Sequence, residues 1–328
     1  MTIKKRYLFL ILIIFQCSFA QEGIPVYSDY FTDNLYLLHP SMAGAANCAK
    51  VRLTGRQQWF GQKDAPALQT ASFNGRFGEQ SGAGIILYND NNGYHSQRGV
   101  KLTYAHHIMF SRSEIDLNQL SFGMSAGMTQ RQLDETSFLI PDPIIGQVLQ
   151  RTPYFNMDIG ASYNYLDYYA HLTVKNVLPS KRSIYTDIES NNLTRFIFST
   201  GYVFGDSKKI QFEPSLMFQL VDQTKEKFLD TNIKAYKDLD FGKLWAGVSY
   251  RRAFDAAQFT TGGAVANQRL QYVTPVLGVN FKQFMFAYTY SHLLGNVLFD
   301  QGGFHQITLG INILCKREKY DCNCPAIN

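Results

Sequence analysis

Apolar and polar residues alternate along several stretches of this chain, and the alternation predicts β-strands. Every second residue is apolar in Leu120–Thr129, in Ile210–Leu220 apart from Met217, and in Gln306–Ile313. Successive side chains of a strand point to opposite faces, so each stretch has one apolar and one polar face. The stretches have roughly the 9–11 residues that a tilted strand needs to cross a bilayer. Similar patterns occupy Tyr154–Tyr165, Arg195–Phe204 and Phe284–Ser291.

The polar faces of these stretches indicate a membrane barrel rather than a soluble sheet. They consist mainly of Ser, Thr, Gln, Asn and Gly, whereas a soluble sandwich usually exposes more Lys and Glu. In lipid, every backbone polar group must be paired within the protein, which leaves only helices or closed barrels. We therefore expect an all-β protein, a transmembrane antiparallel β-barrel of the bacterial outer membrane. A large periplasmic or secreted β-protein is the alternative.

The lengths of the connections predict the number and the orientation of the strands. Short connections such as Leu166–Asp167 alternate with long ones such as Gln130–Pro153 and Asn176–Leu193. Outer-membrane barrels have short periplasmic turns, longer outer loops and an even strand count, so we expect about 14 strands and both termini in the periplasm. The expected strands are 50–58, 66–77, 83–89, 97–109, 117–129, 154–165, 168–175, 194–204, 209–220, 227–236, 241–251, 268–279, 283–290 and 304–313.

The start of the chain has the features of a cleavable signal peptide. Basic residues at positions 4–6 precede an apolar run, Tyr7–Phe15, and the small residues Ser18 and Ala20 follow. This order predicts export and cleavage before Gln21. The apolar run is too short for a membrane helix, which needs roughly 20 residues. We expect a signal peptide at 1–20, a periplasmic or plug segment at 21–50, the barrel at 51–313 and a cysteine-containing periplasmic tail at 314–328.

Composition agrees with a membrane barrel and gives no argument for nucleic-acid binding. Aromatic residues make up 14% of the chain and charged residues only 17%. Barrels have many aromatic side chains at both membrane interfaces. Their polar lumen residues and apolar outer residues together give an intermediate mean hydropathy. The formal net charge is +5, and three of the basic residues belong to the predicted signal peptide, so the mature chain is nearly neutral.

Four cysteines follow the predicted signal peptide, namely Cys48, Cys315, Cys322 and Cys324. Exported compartments permit disulfides, and the expected topology brings both chain ends to one side of the membrane. We expect two bridges, with Cys48 joined to one of the other three. Spacing alone leaves all three connectivities open. A metal site is the alternative, although the Cys322–Cys324 spacing is tighter than that of usual zinc sites.

Three motifs that could carry chemistry have simpler explanations. Gly123–Gly127 matches the Gly-x-Ser-x-Gly pattern of serine hydrolases, but it lies inside a strand without the required turn into a helix. Small residues there make room inside a barrel. Asn89–Gly93 is rich in possible calcium ligands but reads as a turn, and His106 and His107 point to opposite faces. We expect no catalytic residue, no cofactor and no metal.

Seven short segments of the chain occur in a recognisable order, namely His39-Pro40-Ser41-Met42-Ala43-Gly44, Arg56-Gln57-Gln58-Trp59, Ala65-Pro66, Gln69-Thr70, Ser72-Phe73, Gly82-x-Gly84 and Leu120–Gly127. Their order and spacing resemble those of one known family, PorP/SprF of type IX secretion and gliding motility in the Bacteroidetes. The resemblance begins near Tyr27 and continues as architecture to the last strand. His39 stands where the family has Asn, and the tail after Ile313 is longer than the family's usual ending.

The resemblance implies a non-enzymatic outer-membrane component that helps export or surface attachment of cargo. The implied partners are type IX translocon components, a secreted surface adhesin with a type B C-terminal sorting domain, periplasmic ring proteins and outer-membrane lipid. One alternative is a barrel transporter for small hydrophobic molecules. Another is a membrane-embedded lipid hydrolase, which needs a Ser or Asp beside a His, and the predicted strands offer no convincing pair.

Five apolar residues outside the predicted strands are candidates for partner contact. Binding residues favour loops on rigid scaffolds, which makes the first segment of the mature chain a candidate surface. Packing within a plug or at the membrane interface is the favoured alternative. The five are Phe31, Tyr36, Met42, Trp59 and Phe60.

Overall fold

The strands form one closed antiparallel sheet. The computed structural model describes residues 34–58, 65–111, 116–136, 148–178, 193–206, 209–261, 264–295 and 303–315. The strands are β1 Ala49–Gln58, β2 Ala67–Phe77, β3 Ser81–Asn92, β4 His95–Met109, β5 Asn118–Asp134, β6 Leu149–Tyr165, β7 Tyr168–Lys175, β8 Arg195–Tyr202, β9 Phe204–Gly205, β10 Gln211–Val221, β11 Lys227–Leu239, β12 Gly242–Thr261, β13 Ala264–Phe281, β14 Phe284–Leu294 and β15 Phe304–Ile313.

Closure comes from pairing the first strand with the last. β1 pairs with β15 from Ala49↔Ile313 to Gln58↔Phe304. The short β9 continues β8 after Val203, and both pair with β10, so the ring has 14 strands. The predicted antiparallel barrel of about 14 strands is therefore confirmed. No helix in the described ranges is long and apolar enough to cross a membrane.

Each strand separates its side chains between lumen and outer surface as the alternation predicted. In β1, Arg52 and Thr54 are buried toward the lumen, whereas Leu53 between them is 50% exposed. The same division leaves Leu102 and Phe122 exposed on the outer surface. An apolar outer band and a polar interior are what a lipid-embedded barrel requires.

The largest difference from the predicted strands lies in the hairpin of β12 and β13. A long loop was expected over 252–267, but both strands continue and pair as far as Thr261↔Ala264. The pairing shifts register between Arg252 and Ala256. Apolar alternation marks only the part of a strand that faces lipid, so it does not report a strand that continues beyond that part. β5 and β6 extend beyond their predicted ends for the same reason, and β3 and β4 meet in a tight turn at Gly93–Tyr94.

The ends of the barrel differ in their connections. The start of β1 and the end of β15 pair directly, so both lie at one end of the barrel. The antiparallel order places several short turns at that same end, including residues 78–80 and 166–167. We call it the terminal end. The connection between β5 and β6 and that between β7 and β8 lie at the opposite end, and both are long.

Candidate functional site in the barrel lumen

A segment before β1 lies inside the barrel. This segment, Asn34–Cys48, contains two short 3₁₀ helices, Leu35–Leu37 and Pro40–Met42. Every residue from Tyr36 to Ala46 is buried. The second helix contacts β4, β5 and β6, so the segment fills part of the lumen, and we call it the plug.

Side-chain hydroxyl groups join the plug to the barrel wall. Tyr36 donates from its hydroxyl to Thr103 Oγ1 at 2.8 Å. Ser41 Oγ lies 2.5 Å from Ser162 Oγ. These wall residues sit on the lumen faces of β4 and β6, where the polar half of the alternation places them. The polar lumen residues of these strands therefore serve as partners for the plug.

His39 is held at both ring nitrogens by the wall. Its Nδ1 lies 2.8 Å from Thr173 Oγ1, and its Nε2 lies 2.8 Å from Ser199 Oγ. Its ring is also 5.0 Å from the ring of His171. Burial lowers the pKa of His39 well below its usual value, and His171 and Lys175 act in the same direction. His39 therefore stays neutral and fixes the plug between β7 and β8.

Arg76 of β2 holds the plug through its backbone. Its Nε donates to the Gly44 carbonyl at 2.9 Å, and its Nη2 donates to the Ala45 carbonyl at 3.1 Å. The Gly44 amide in turn donates to Asn74 Oδ1 at 3.1 Å. Gly44 has φ +68, and a Cβ there would lie 2.6 Å from the Gly75 carbonyl oxygen. The turn at this position therefore requires glycine.

Two further basic side chains contact plug carbonyls from other strands. Lys175 Nζ of β7 donates to the Leu37 carbonyl at 2.8 Å. His107 Nε2 of β4 lies 3.0 Å from the Ala43 carbonyl oxygen. The plug hydrogen bonds described so far all end on β2, β4, β6, β7 and β8. We call β2–β8 the plug-facing wall.

Glycines on the plug-facing wall make space for the plug backbone. A Cβ on Gly82 would lie 1.9 Å from the Ala43 carbonyl oxygen, and one on Gly123 would lie 2.3 Å from the Ser41 amide nitrogen. Gly123 begins the Gly-x-Ser-x-Gly pattern, and its central Ser125 Oγ lies 2.7 Å from Thr103 Oγ1. The pattern sits in β5, with a glycine that admits the plug and a serine that bonds to the neighbouring strand.

The structure brings a serine beside a histidine, which the sequence did not reveal. His107 Nδ1 lies 2.8 Å from Ser121 Oγ on the adjacent strand. Both residues are completely buried, and the remaining ring nitrogen of His107 faces the Ala43 carbonyl. The pair is closed off by the plug, so a substrate has no access to it in this state. Within the described ranges, no cluster of three His, Cys, Asp or Glu residues could hold a metal ion.

The structure places two of the five candidate partner-contact residues inside the plug. Tyr36 is 4% exposed and Met42 is 5% exposed, and both belong to one buried apolar cluster. They pack the plug, and neither offers a surface to a partner in this state. Phe31, Trp59 and Phe60 lie outside the described residues.

A disulfide fixes the end of the plug to the end of the barrel. It joins Cys48 to Cys315, whose Cα atoms are 4.0 Å apart. Cys48 directly precedes β1, and Cys315 follows β15, so the bridge lies beside the pair of strands that closes the barrel. Cys322 and Cys324, the other two expected disulfide cysteines, lie outside the described residues.

Strands β11–β14, which we call the far wall, carry apolar residues on their lumen faces near the terminal end. Tyr236, Trp245, Val276, Met285 and Ala287 form a buried cluster there. The Trp245 ring covers Gly278, where a Cβ would lie 2.2 Å from ring atoms. Side chains of the far wall therefore fill space that the plug occupies elsewhere.

Charged residues are also buried on the lumen faces of β10–β12, although the alternating stretches suggested an uncharged lumen. Asp230 accepts two hydrogen bonds from Arg251, one from Nε and one from Nη2, both at 2.6 Å. Glu213 of β10 lies 3.3 Å from Lys234 Nζ and accepts hydrogen bonds from the Tyr169 and Tyr236 hydroxyls. These ion pairs could have been anticipated from the sequence, because their charged residues occupy lumen-facing positions of predicted strands.

Comparison with known proteins gives one family and several similar folds. A family model described as type IX secretion system membrane protein PorP/SprF matches residues 19–311. No curated protein sequence matches the chain.

Three solved barrels illustrate the structural likenesses. CdiB from Acinetobacter baumannii is 8% identical with a TM-score of 0.38, and the match covers 80% of this chain and 59% of CdiB. A Pseudomonas aeruginosa FadL homologue is 10% identical with a TM-score of 0.47, covering 85% and 90% of the two chains. The Pseudomonas putida toluene transporter TodX is 12% identical with a TM-score of 0.41, covering 85% and 92%. Likenesses at this level carry no statement about function.

Proposed function

The chain belongs to the PorP/SprF family of type IX secretion system membrane proteins, and from this premise we propose that it acts by binding protein cargo. In this proposal the barrel helps the export or surface attachment of an adhesin with a type B C-terminal sorting domain. It does so together with translocon components and, on the other side of the membrane, periplasmic ring proteins.

The observation that carries the proposal is the plug. Its residues are buried, and wall side chains from β2, β4, β6, β7 and β8 bond to it. A segment fixed at so many points supports a barrel that works as a rigid scaffold rather than as an open pore. Rigid scaffolds present binding residues on their loops, which favours the long connections opposite the terminal end as the cargo-binding surface.

The same architecture supports a proposed orientation in the membrane. Short turns and both ends of the barrel share the terminal end, and outer-membrane barrels place short turns in the periplasm. We therefore place the terminal end in the periplasm, after removal of a signal peptide at 1–20, with the tail 314–328 on that side. The plug, Asn34–Cys48, then lies in the lumen and continues into β1 at the periplasmic end.

Affinity purification tests the proposal directly. The tagged protein would be isolated from outer membranes in mild detergent, and its companions identified by mass spectrometry. Recovery of translocon components or of a sorting-domain adhesin supports protein binding. A pure barrel without these companions, carrying a small hydrophobic molecule instead, would favour the transporter.

Labelling of single cysteines on intact cells tests the orientation. Gly93 lies in the β3–β4 turn opposite the terminal end, and Glu79 lies in the β2–β3 turn at the terminal end. Each would be replaced by cysteine in a separate variant. A membrane-impermeant maleimide should label Gly93→Cys on whole cells and Glu79→Cys only after the outer membrane is opened. The reverse pattern would invert the proposed orientation.

A further inference from the structure

The outer surface of β1–β5 carries a row of polar residues in a region where lipid-facing strands are otherwise apolar. Neighbouring members of the row are direct cross-strand partners. The row begins at a glycine and includes one cation. Its members are Gly55, Gln69, Asn89, Arg98 and Gln130.

An apolar row runs beside the polar row, two residues closer to the terminal end on each strand. Its members are also direct cross-strand partners, and most have large side chains. Leu87 and Met128 in this row are about half exposed, at 48% and 50%. The row consists of Leu53, Ala71, Leu87, Val100 and Met128.

Two grooves cut across both rows and share one ridge. The first has a volume of about 740 Å³ and surrounds Gly55, with Leu53 and Ala71 in its lining. The second has a volume of about 660 Å³ and is lined by Val100 and Met128. Leu87 and Asn89 line both grooves, so together they form the ridge between them.

The first groove exists because small residues stand among large ones. A Cβ added to Gly55 would meet no atom within 4 Å, so the space beside it is open on the outer surface. The wall beneath it is continuous, because β1 pairs with both β2 and β15 on either side of Gly55. The groove is therefore a depression in the outer surface and not an opening into the lumen.

Arg98 lines the second groove and lies beside the ridge, as the cross-strand partner of Asn89. Its Nε donates to Asn89 Oδ1 at 3.0 Å, and its side chain is exposed. A guanidinium carries five N–H donors, so this bond leaves donors for a further acceptor. Guanidinium groups match phosphate oxygens in geometry and charge.

We propose that these grooves bind an outer-membrane lipid with two or more acyl chains and a phosphate in its headgroup. One chain lies in each groove, on either side of Leu87, and the phosphate binds Arg98. Going away from the terminal end, the surface is first apolar and then polar. A lipid changes in the same order from its acyl chains to its headgroup. A transmembrane segment of a protein partner would need one continuous contact surface, which the ridge divides. With the terminal end in the periplasm, the lipid belongs to the outer leaflet.

Native mass spectrometry of the full-length barrel tests whether the groove holds lipid. The protein would be extracted from outer membranes in mild detergent, and the lipid-bound fraction compared between variants. Gly55→Leu should reduce that fraction at least about fivefold, because it fills the open space with an apolar side chain that faces lipid. Ala246→Leu adds the same side chain to an exposed position on β12 and should leave the fraction unchanged.

Paired probes test the headgroup. The delipidated barrel would be titrated with dipalmitoyl phosphatidic acid and with dipalmitoylglycerol, which has the same chains and no phosphate. Phosphatidic acid should bind about tenfold tighter, and Arg98→Gln should remove this preference, because a charge-assisted hydrogen bond is lost. Arg98→Gln should leave dipalmitoylglycerol binding unchanged.

Three results would overturn the proposal. One is a bound-lipid fraction that is the same in Gly55→Leu and in the unaltered protein. Another is equal affinity for the two probes. The last is a photoreactive residue at position 55 that cross-links in membranes to a protein and not to lipid. A gel shift on heating, which folded barrels show, would establish that Gly55→Leu and Ala246→Leu are folded.

Discussion

The plug-facing wall and the far wall fill the same lumen by different means. On the plug-facing wall, hydroxyl groups, basic side chains and glycines receive a segment from outside the sheet, as at Thr103, Arg76 and Gly82. On the far wall, Trp245 covers Gly278 and Asp230 pairs with Arg251, so wall residues contact one another. Glycine thus has two uses in this barrel. On the plug-facing wall it allows the plug backbone to come close, and on the far wall it allows the Trp245 ring to lie against the strand.

The sharpest way to separate the two uses is to enlarge one glycine from each wall. Gly82→Leu should displace the plug and cost about 3 kcal/mol, because the new side chain occupies the position of the Ala43 carbonyl. Conductance of the purified protein in planar bilayers should rise. Gly278→Leu should lower heat stability while conductance stays at the level of the unaltered protein, since it displaces Trp245 and leaves the plug bonds intact. An equal rise in both variants would erase the distinction.

The ion pair of the far wall gives the next largest effect. Asp230→Ala should reduce the free energy of unfolding by about 3 kcal/mol, because Arg251 stays buried with its charge uncompensated. Urea unfolding in detergent, followed by tryptophan fluorescence, measures the loss. The double variant with Arg251→Met should recover part of it. Loss of the plug in Asp230→Ala would show that the two walls are not independent.

The disulfide joins the plug to the strands that close the barrel, and its removal should have a comparable effect on stability. Cys48→Ser should lower the free energy of unfolding by about 3 kcal/mol, because the unfolded chain regains the freedom of a closed loop. The shift in the temperature at which the barrel unfolds on a gel reports the change. Cys315→Ser should have the same effect, and the double variant should lose no more than either. A larger loss in the double variant would mean that the cysteines act separately.

Acid should loosen the plug-facing wall by the smallest amount. The pKa of His39 is lowered from 6.5 in the folded protein, so a displaced, solvated His39 takes up a proton more readily than the buried one. The stability that neutral His39 contributes is complete above pH 6.5 and is lost as the pH falls through that value toward the lowered pKa.

Protease digestion of the plug in the purified barrel, at about pH 7.5 and about pH 5, measures this effect, the pH values being chosen on either side of the usual histidine pKa. Digestion should increase in acid for the unaltered protein and less for His39→Asn, in which only the other buried histidines respond. An equal response in the two proteins would remove His39 as the titrating group.

The alternation of apolar and polar residues predicted the strands well wherever they face lipid. It failed beyond the lipid, because Arg252 and Asp255 of the β12–β13 hairpin follow no apolar period and still belong to β12. The hydrogen bonds that fix the plug to the wall could not be predicted from the sequence either. Arg76 and Lys175 contact carbonyl oxygens of Gly44, Ala45 and Leu37, and a carbonyl leaves no trace in the pattern of side chains.

Tyr36 shows the same limit for surface residues. As an aromatic residue before the first strand it suited both partner contact and packing within a plug, with packing favoured, but the sequence did not reveal Thr103 as the residue to which it bonds. Gly123 shows the opposite case. Its place in an alternating strand correctly indicated a need for space in the lumen, and the structure identifies the occupant as the Pro40–Ser41 peptide.

The attachment of the plug to the seam has a kinetic consequence. Cys48 is bonded to Cys315 and continues into β1. A plug that leaves the lumen therefore remains attached at its Cys48 end to the terminal end of the barrel. Its local concentration at the lumen stays in the millimolar range that short flexible tethers give. Reinsertion is then a unimolecular step whose rate does not depend on how many copies the membrane holds. A barrel built in this way recloses by itself.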